Sequence, residues 1–328
     1  MTEPAVQNIS CAGVFGLGVI GSAMAACFLA AGVDVVGTCG PDEDQHDLTE
    51  SIIRAALDYR QLTVQTSGTV GDLRVVRSVA QAAAAADFIQ ENIPEDRELK
   101  ARVIAEIDTA ARPGVVIASS TSGIRPTELQ AMCTTDPGRV LVGHPFHPAH
   151  IIPLIEVVPG SQTRPDAAEQ AMAVYRRIGK KPILVRAEIP GHVTNRLQAA
   201  IWREAYSLID RGIVTVADID TAIASGPGLR WAIVGPIAGQ HLSGGRGGLR
   251  AVLDHLGPPA QEWMDDLGAP QLTPELVDKL VTGTDDEMAG IDPELLATER
   301  DQLLVDIIRL KQRARSLPET ARARETTL

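Results

Sequence analysis

Aromatic side chains are scarce in this chain: three tryptophans, three tyrosines and four phenylalanines among 328 residues. Basic charge is scarce too, with 30 Lys and Arg against 42 Asp and Glu and a formal net charge of −12. A nucleic-acid surface interleaves the two, and an anionic membrane needs the second, so neither partner is expected. The four cysteines, Cys11, Cys27, Cys39 and Cys133, include no C-x-x-C pair. That spacing argues against a disulfide framework and against a zinc site. It reads instead as reduced structural thiols in a cytoplasmic protein, three of them in core positions, with no metal expected. No apolar run approaches the ~20 residues of a membrane span, and mean hydropathy is close to zero, at +0.04. The opening M-T-E-P-A-V-Q-N has neither the basic start nor the apolar core of a signal peptide.

Glycine, by contrast, is placed with purpose. The apolar run Ala12–Phe15 leads into Gly16-Leu17-Gly18-Val19-Ile20-Gly21, and small apolar helix formers follow to Ala31. Strand, glycine turn and helix in that order make a dinucleotide site. Gly16 allows the tight turn, Gly18 lets a pyrophosphate reach the backbone, and Gly21 lets the helix pack on the strand. The free amides at the helix N-terminus then face the phosphates. A second strand, Val33–Thr38, normally ends in a carboxylate that bonds the ribose. Here Cys39 holds that place, with Asp42, Glu43 and Asp44 just beyond and no arginine nearby in sequence. The cofactor is therefore NAD(H) or NADP(H), with the preference open.

Strand and helix patterns alternate to Val185. Strands are expected at 73–76, 88–91, 115–119, 139–143, 154–158 and 183–185. Helices are expected at 41–60, 79–86, 94–111, 126–132 and 165–178. This is an α/β fold, a Rossmann-type doubly wound sheet. After Gly191 only helical periods remain, at 192–211, 216–225, 249–256, 274–282 and 293–315, with glycines and prolines punctuating 226–248. The chain thus divides into a dinucleotide-binding domain, 1–190, and an all-helical domain for substrate and dimerisation, 191–328.

Polar residues stand at the strand ends, where open α/β sheets place ligands. Ser122 follows one strand and His144 ends the next. Glu156 comes twelve residues later, and a hairpin there brings it beside His144. A carboxylate on one imidazole nitrogen fixes the tautomer and raises the basicity of the other, which makes an acid/base group near neutral pH. Asn195, on the first turn of the following helix, faces the same cleft. Each has a plainer reading: a structural histidine, an edge carboxylate, a helix cap at Ser122 and an exposed helix position at Asn195.

Together, G-L-G-V-I-G (16–21), E-N-I-P-E (91–95), S-S-T-S-G (119–123), G-H-P-F-H-P (143–148), L-I-E-V-V (154–158) and G-H-V-T-N-R-L (191–197) resemble the 3-hydroxyacyl-CoA dehydrogenase superfamily. G-L-R-W-A (228–232) and H-L-S-G-G-R-G-G (241–248) are similar to its branch of L-carnitine dehydrogenase and L-gulonate 3-dehydrogenase (lambda-crystallin). The resemblance implies that His144 is the acid/base at the C3 oxygen and Glu156 its orienting partner. Ser122 and Asn195 would bond the reacting oxygen or the polar groups beside it. Glu91 would lie along the cofactor near its nicotinamide. Hydride would pass between nicotinamide C4 and C3 of a 3-hydroxy or 3-keto carboxylate, in a homodimer joined through the helical domain.

Departures from the family matter. Cys39 stands for an Asp, His147 for an Asn that lies against the cofactor, and Asp96 for a Lys. Phe146, Trp202, Tyr206 and Trp231 are the aromatics that could cage a trimethylammonium. Arg196, Arg203, Arg230 and Arg246 are the arginines that could clamp a carboxylate. The missing Asp at Cys39, the change at His147 and the small residues of 235–241 together tilt the expectation from carnitine toward a bulkier β-keto acid, as in ketoreductases of pyranonaphthoquinone polyketide biosynthesis. A non-catalytic, crystallin-like dinucleotide binder is the alternative of another class.

Overall fold

The computed structural model describes residues 9–40, 45–62 and 69–318. In chain order the first elements are β1 (Cys11–Phe15), α1 (Val19–Ala30), β2 (Asp34–Thr38), α2 (Gln45–Leu62), β3 (Leu73–Val76), α3 (Val79–Ala85) and β4 (Phe88–Glu91). There follow α4 (Arg97–Ala110), β5 (Val116–Ser119), α5 (Pro126–Gln130), β6 (Val140–Pro145), β7 (Leu154–Pro159), α6 (Pro165–Arg177) and β8 (Lys181–Leu184). Only helices come after: α7 (Thr194–Asp210), α8 (Val216–Ala224), α9 (Pro227–Val234), α10 (Pro236–Ser243), α11 (Gly248–Asp266), α12 (Pro274–Glu287) and α13 (Pro293–Arg313). No helix of the described residues is long and apolar enough to cross a membrane.

The strands form one sheet in the order β3-β2-β1-β4-β5-β6-β7-β8. Every neighbouring pair is parallel except β6 and β7, which form an antiparallel hairpin. The carboxyl ends of β2, β1, β4, β5 and β6 therefore share one edge of the sheet. The chain leaves β1 toward β2 on one side, and β4 lies on the other, so the Gly16 turn stands at a topological switch point.

Local sequence explains the elements. α1 is apolar all round, with Met24 to Ala30 buried, as a helix in the middle of a core must be. Ser78 caps α3 by accepting from the Gln81 N–H, and Asp96 caps α4 by accepting from that of Leu99. The caps set the start of α4 at Arg97 rather than Pro94. The apolar face of α4 buries Ile104 and Ile107 and half-buries Leu99 and Val103. Residues 41–44, expected to open α2, lie outside the described residues. Cys27 is fully buried, whereas Cys11, Cys39 and Cys133 are only half-buried, and all four are free thiols.

One buried polar network sets the height of β6. The Gln90 amide donates to Ser120 Oγ (2.8 Å) and to the Gly143 carbonyl (3.1 Å), and accepts from the Tyr175 hydroxyl (2.6 Å). A Cβ at Gly143 would lie 1.9 Å from that hydroxyl. Glycine at 143 thus lets β6 seat against α6 immediately before His144.

The chain divides into two units, Met1–Arg196 and Leu197–Leu328, a few residues beyond the expected boundary. The N–H groups of Val193 and Thr194 bond Glu156 on β7, which keeps the first turn of α7 with the sheet. The second unit has two helices that were not expected, α9 and α10. Pro227 and Pro236 sit at their first positions, where a missing N–H costs nothing, and Gly235 (φ +77°) separates them. Proline marks helix starts here rather than loops. α11 in turn passes through Pro258 and Pro259 to Asp266, at the cost of two amide donors.

Candidate active site

The glycine turn after β1 is built from backbone. Gly16 has φ +81°, a conformation open to glycine at no cost. Its N–H donates to Thr38 O (3.0 Å) and the N–H of Leu17 to the same carbonyl (3.1 Å), so β2 holds the turn. A Cβ at Gly21 would fall 1.8 Å from Gly16 O, whereas one at Gly18 would meet nothing within 4 Å. Leu17 is buried against Gly37, Val19 is exposed and Ile20 half-buried. α1 has neither a side-chain cap nor an acid in its first turn. Its leading amides are therefore free for an anion. These residues fit the pyrophosphate of a dinucleotide, held by backbone rather than by side chains.

At the end of β2, Cys39 is half-exposed and unpaired. Asp42, Glu43 and Asp44 lie outside the described residues. No arginine follows β2 in sequence, but in the fold Arg77 donates to the Gly40 carbonyl. β3 pairs with β2, Val76 opposite Thr38, and delivers an arginine that is remote in sequence.

Glu91 also requires a correction. Its side chain is fully buried, with Oε1 taking Lys100 Nζ (2.8 Å) and the Ile93 N–H (2.7 Å), and Oε2 taking the Ser119 hydroxyl. Lys100 is itself buried. Enclosed and bonded on both oxygens, the carboxylate holds the turn after β4 and presents no accessible oxygen. The backbone of that turn, at Asn92 and Ile93, is what lies against Gly16. Glu95, by contrast, takes a structural part that the sequence did not signal. It accepts from the Thr121 hydroxyl (2.9 Å) and the Ser122 N–H (3.1 Å), and so fixes the turn after β5. Ser122 is exposed. Ser122 does not cap α5, which has no side-chain cap; the Thr121 hydroxyl instead accepts from the Gly123 and Ile124 amides within the turn.

The β6–β7 register places His144 opposite Glu156. Their contact is Nδ1 to Oε2 at 2.9 Å, with the carboxylate fully buried. The other oxygen, Oε1, accepts the Val193 and Thr194 N–H groups, both at 2.9 Å. Burial pushes the Glu156 carboxyl upward, but the His144 bond and these two amides together hold it below its ordinary value. An ionised Glu156 requires the proton on His144 Nδ1, which leaves Nε2 to take or give a proton.

Phe146 stands edge-on to the His144 ring, centroids 5.2 Å apart at 74°. His147 is exposed on the loop beyond. Asn195 is half-buried on the first turn of α7, adjoining the amides that grip Glu156. Trp202 on α7 and Arg230 and Trp231 on α9 belong to the second unit and are exposed, with the two indoles 48% and 37% accessible. His192 was missed as a site residue: it is buried, with its ring centroid 5.3 Å from that of His144. Read as the first residue of a helix, it gave no signal. Its only sequence mark is its place between Gly191 and a helix start.

The family model for the NAD binding domain of 3-hydroxyacyl-CoA dehydrogenase matches residues 11–189, and that for its C-terminal domain matches 191–285. An L-carnitine dehydrogenase of Nocardiopsis dassonvillei is 42% identical over 323 residues, 98% of this chain and 95% of that protein. A 3-hydroxyacyl-CoA dehydrogenase of Gibberella moniliformis is 41% identical over 95% of this chain and 98% of its own. Among solved structures, an NAD+-dependent dismutase, 5-formyl-3-hydroxy-2-methylpyridine 4-carboxylic acid 5-dehydrogenase, superposes with a TM-score of 0.81. It is 30% identical, over 93% of this chain and 99% of its own. The chain belongs to the 3-hydroxyacyl-CoA dehydrogenase family, as an NAD-dependent dehydrogenase of hydroxyacyl or hydroxy acid substrates.

Proposed function

We propose that the protein oxidises the C3 hydroxyl of a small 3-hydroxy acid, L-carnitine before others, with His144 as acid/base. The observation that carries the mechanism is the His144 Nδ1–Glu156 Oε2 contact of 2.9 Å at the carboxyl edge of the sheet. Bound NAD+ supplies the hydride acceptor. His144 Nε2 takes the hydroxyl proton during oxidation and returns it during reduction, and the Glu156 carboxylate balances the imidazolium. Ser122 and Asn195 orient the reacting oxygen. Glycines 16, 18 and 21 seat the pyrophosphate. Phe146, Trp202, Arg230 and Trp231 are proposed to meet the substrate, the aromatics its cation and the arginine its carboxylate.

Carnitine is preferred over the bulkier keto acid because relatives named L-carnitine dehydrogenase match nearly the whole chain at about 40% identity. Small residues at 235–241 favour the second reading, an aryl 3-keto acid of polyketide type. The test is NAD+-dependent oxidation of L-carnitine beside NADH-dependent reduction of an aryl 3-keto acid. Turnover of L-carnitine supports the proposal; turnover of the aryl acid alone replaces it with the second. His144→Ala should lower turnover by ~10²–10⁴, the range of general acid–base groups, with NADH affinity unchanged. Full activity in that variant refutes the mechanism, and absence of any turnover by the wild type returns the crystallin-like reading. The working form we propose is a cytoplasmic homodimer.

A further inference from the structure

His192 is out of the ordinary in three ways. At φ +50° it is the non-glycine residue with positive φ among the described residues, a conformation that side chains other than Asn, Asp and His seldom take. The residue is buried, only 2% exposed. Its Nδ1 is buried and meets no hydrogen-bond partner among the described residues. Strain and an orphaned polar atom together, beside an acid/base histidine, call for a functional account.

The ring's proton can be placed. Nε2 lies 3.3 Å from the Thr121 carbonyl, which can only accept, so Nε2 carries the hydrogen. Nδ1 is then a bare lone pair, and a second proton there would find no acceptor. The titratable groups around it are His144 on β6, Glu156 on β7 and Glu95 in the turn after β4. Burial is the main cause that lowers the affinity of His192 for a second proton, and the charge of His144 lowers it further. The Thr121 carbonyl and the two carboxylates pull the other way and are outweighed. His144 differs in having Glu156 at its Nδ1.

We infer that His192 is a positioning residue, a permanently neutral imidazole that leaves the exchangeable proton of the two neighbouring rings to His144. Its Nε2–H pins the Thr121 carbonyl, and with it the turn that carries Ser122. Its backbone leads into the Val193 and Thr194 amides that hold Glu156. One side chain thus ties the Ser122 turn, the Glu156 clamp and the start of α7 together. The inference rests on the reading of His144 as the acid/base.

The test begins with 15N-histidine spectra of the whole protein, the His192 signals identified by their loss in His192→Gln. From ~pH 5 to 8, where an ordinary histidine titrates, His192 should keep a bare Nδ1 and a protonated Nε2. A second proton on His192 within that range, or the opposite tautomer, overturns the inference. Kinetics give the second arm. His192→Gln places an amide N–H where Nε2 donates, while His192→Phe keeps the ring and loses the donor. The phenylalanine variant should lose ~10-fold or more in kcat, one decade being about 1.4 kcal/mol. Its NADH affinity should be unchanged, and the glutamine variant should recover most of the loss. Phenylalanine within about twofold of wild type, or glutamine no better than phenylalanine, defeats the inference. Should the phenylalanine variant fail to fold, the spectra decide alone. His144→Gln in the same assay separates the two readings: if it stays active, the acid/base assignment fails, while the spectra still report the charge of His192.

Discussion

A single carboxylate, Glu156, serves two neighbours at once, His144 through one oxygen and the start of α7 through the other. Its folded-state pKa is depressed. The stability it contributes is therefore full above the ordinary glutamate value of ~4.3 and is lost as pH falls through the lower folded value. In Glu156→Gln that acid-dependent part should vanish, at an overall cost of ~1–3 kcal/mol from bonds to a charged group. Urea midpoints of both proteins across the acid range measure it, and parallel curves would contradict it. Cys39 gives a second residue-scale prediction. Cys39→Asp restores a ribose acceptor and should tighten NADH by ~10-fold relative to NADPH, about the worth of one charge-assisted bond, read by nucleotide fluorescence. His144 and Glu156 were legible in the sequence because a hairpin with a short separation brings them opposite. Arg77 and His192 were not. The first reaches Gly40 across a parallel strand pair, whose partners are far apart in sequence. The second depends on a backbone angle that no residue pattern announces.

Among elements, β6 is the one on which most depends. It pairs parallel with β5 on one side and antiparallel with β7 on the other, and all its residues are buried. Its depth is set by Gly143 against the Tyr175 hydroxyl. Gly143→Ala must displace Tyr175 or the strand, and should cost ~1–3 kcal/mol, as over-packing does. Activity should fall with it, because His144 is the next residue. Urea unfolding and kcat on one preparation check both, and an unchanged midpoint would show that α6 yields freely. The sheet was readable to within a few residues because buried parallel strands are short apolar runs between turns. The helices of the second unit were less so: α9 and α10 begin at prolines and are short, and a pattern read for breaks misses them.

At the scale of the molecule the two units differ in how they treat apolar surface. The first encloses a continuous core around the sheet. In the second, Leu296, Leu303, Ile307 and Leu310 make an exposed stripe along one face of α13. On α11, Leu253, Leu256, Trp263 and Met264 are exposed as well, as is Leu267 just past its end. Surface of this kind favours a protein partner, and a second copy is the one we propose. Leu303→Glu should then shift the protein toward monomer in sedimentation, while a wild type that sediments as a monomer would remove the dimer. The hairpin has a different consequence, for how such a protein diversifies. His144 and Glu156, the proposed acid–base pair, lie on the two strands, whereas Phe146 and His147 lie on the loop between them, whose far side Lys180 ties down at Ala149 and Ile152. On the proposed roles, substrate preference can therefore change at Phe146 while the strand pairing that joins His144 to Glu156 is kept, so chemistry and selectivity are separately heritable.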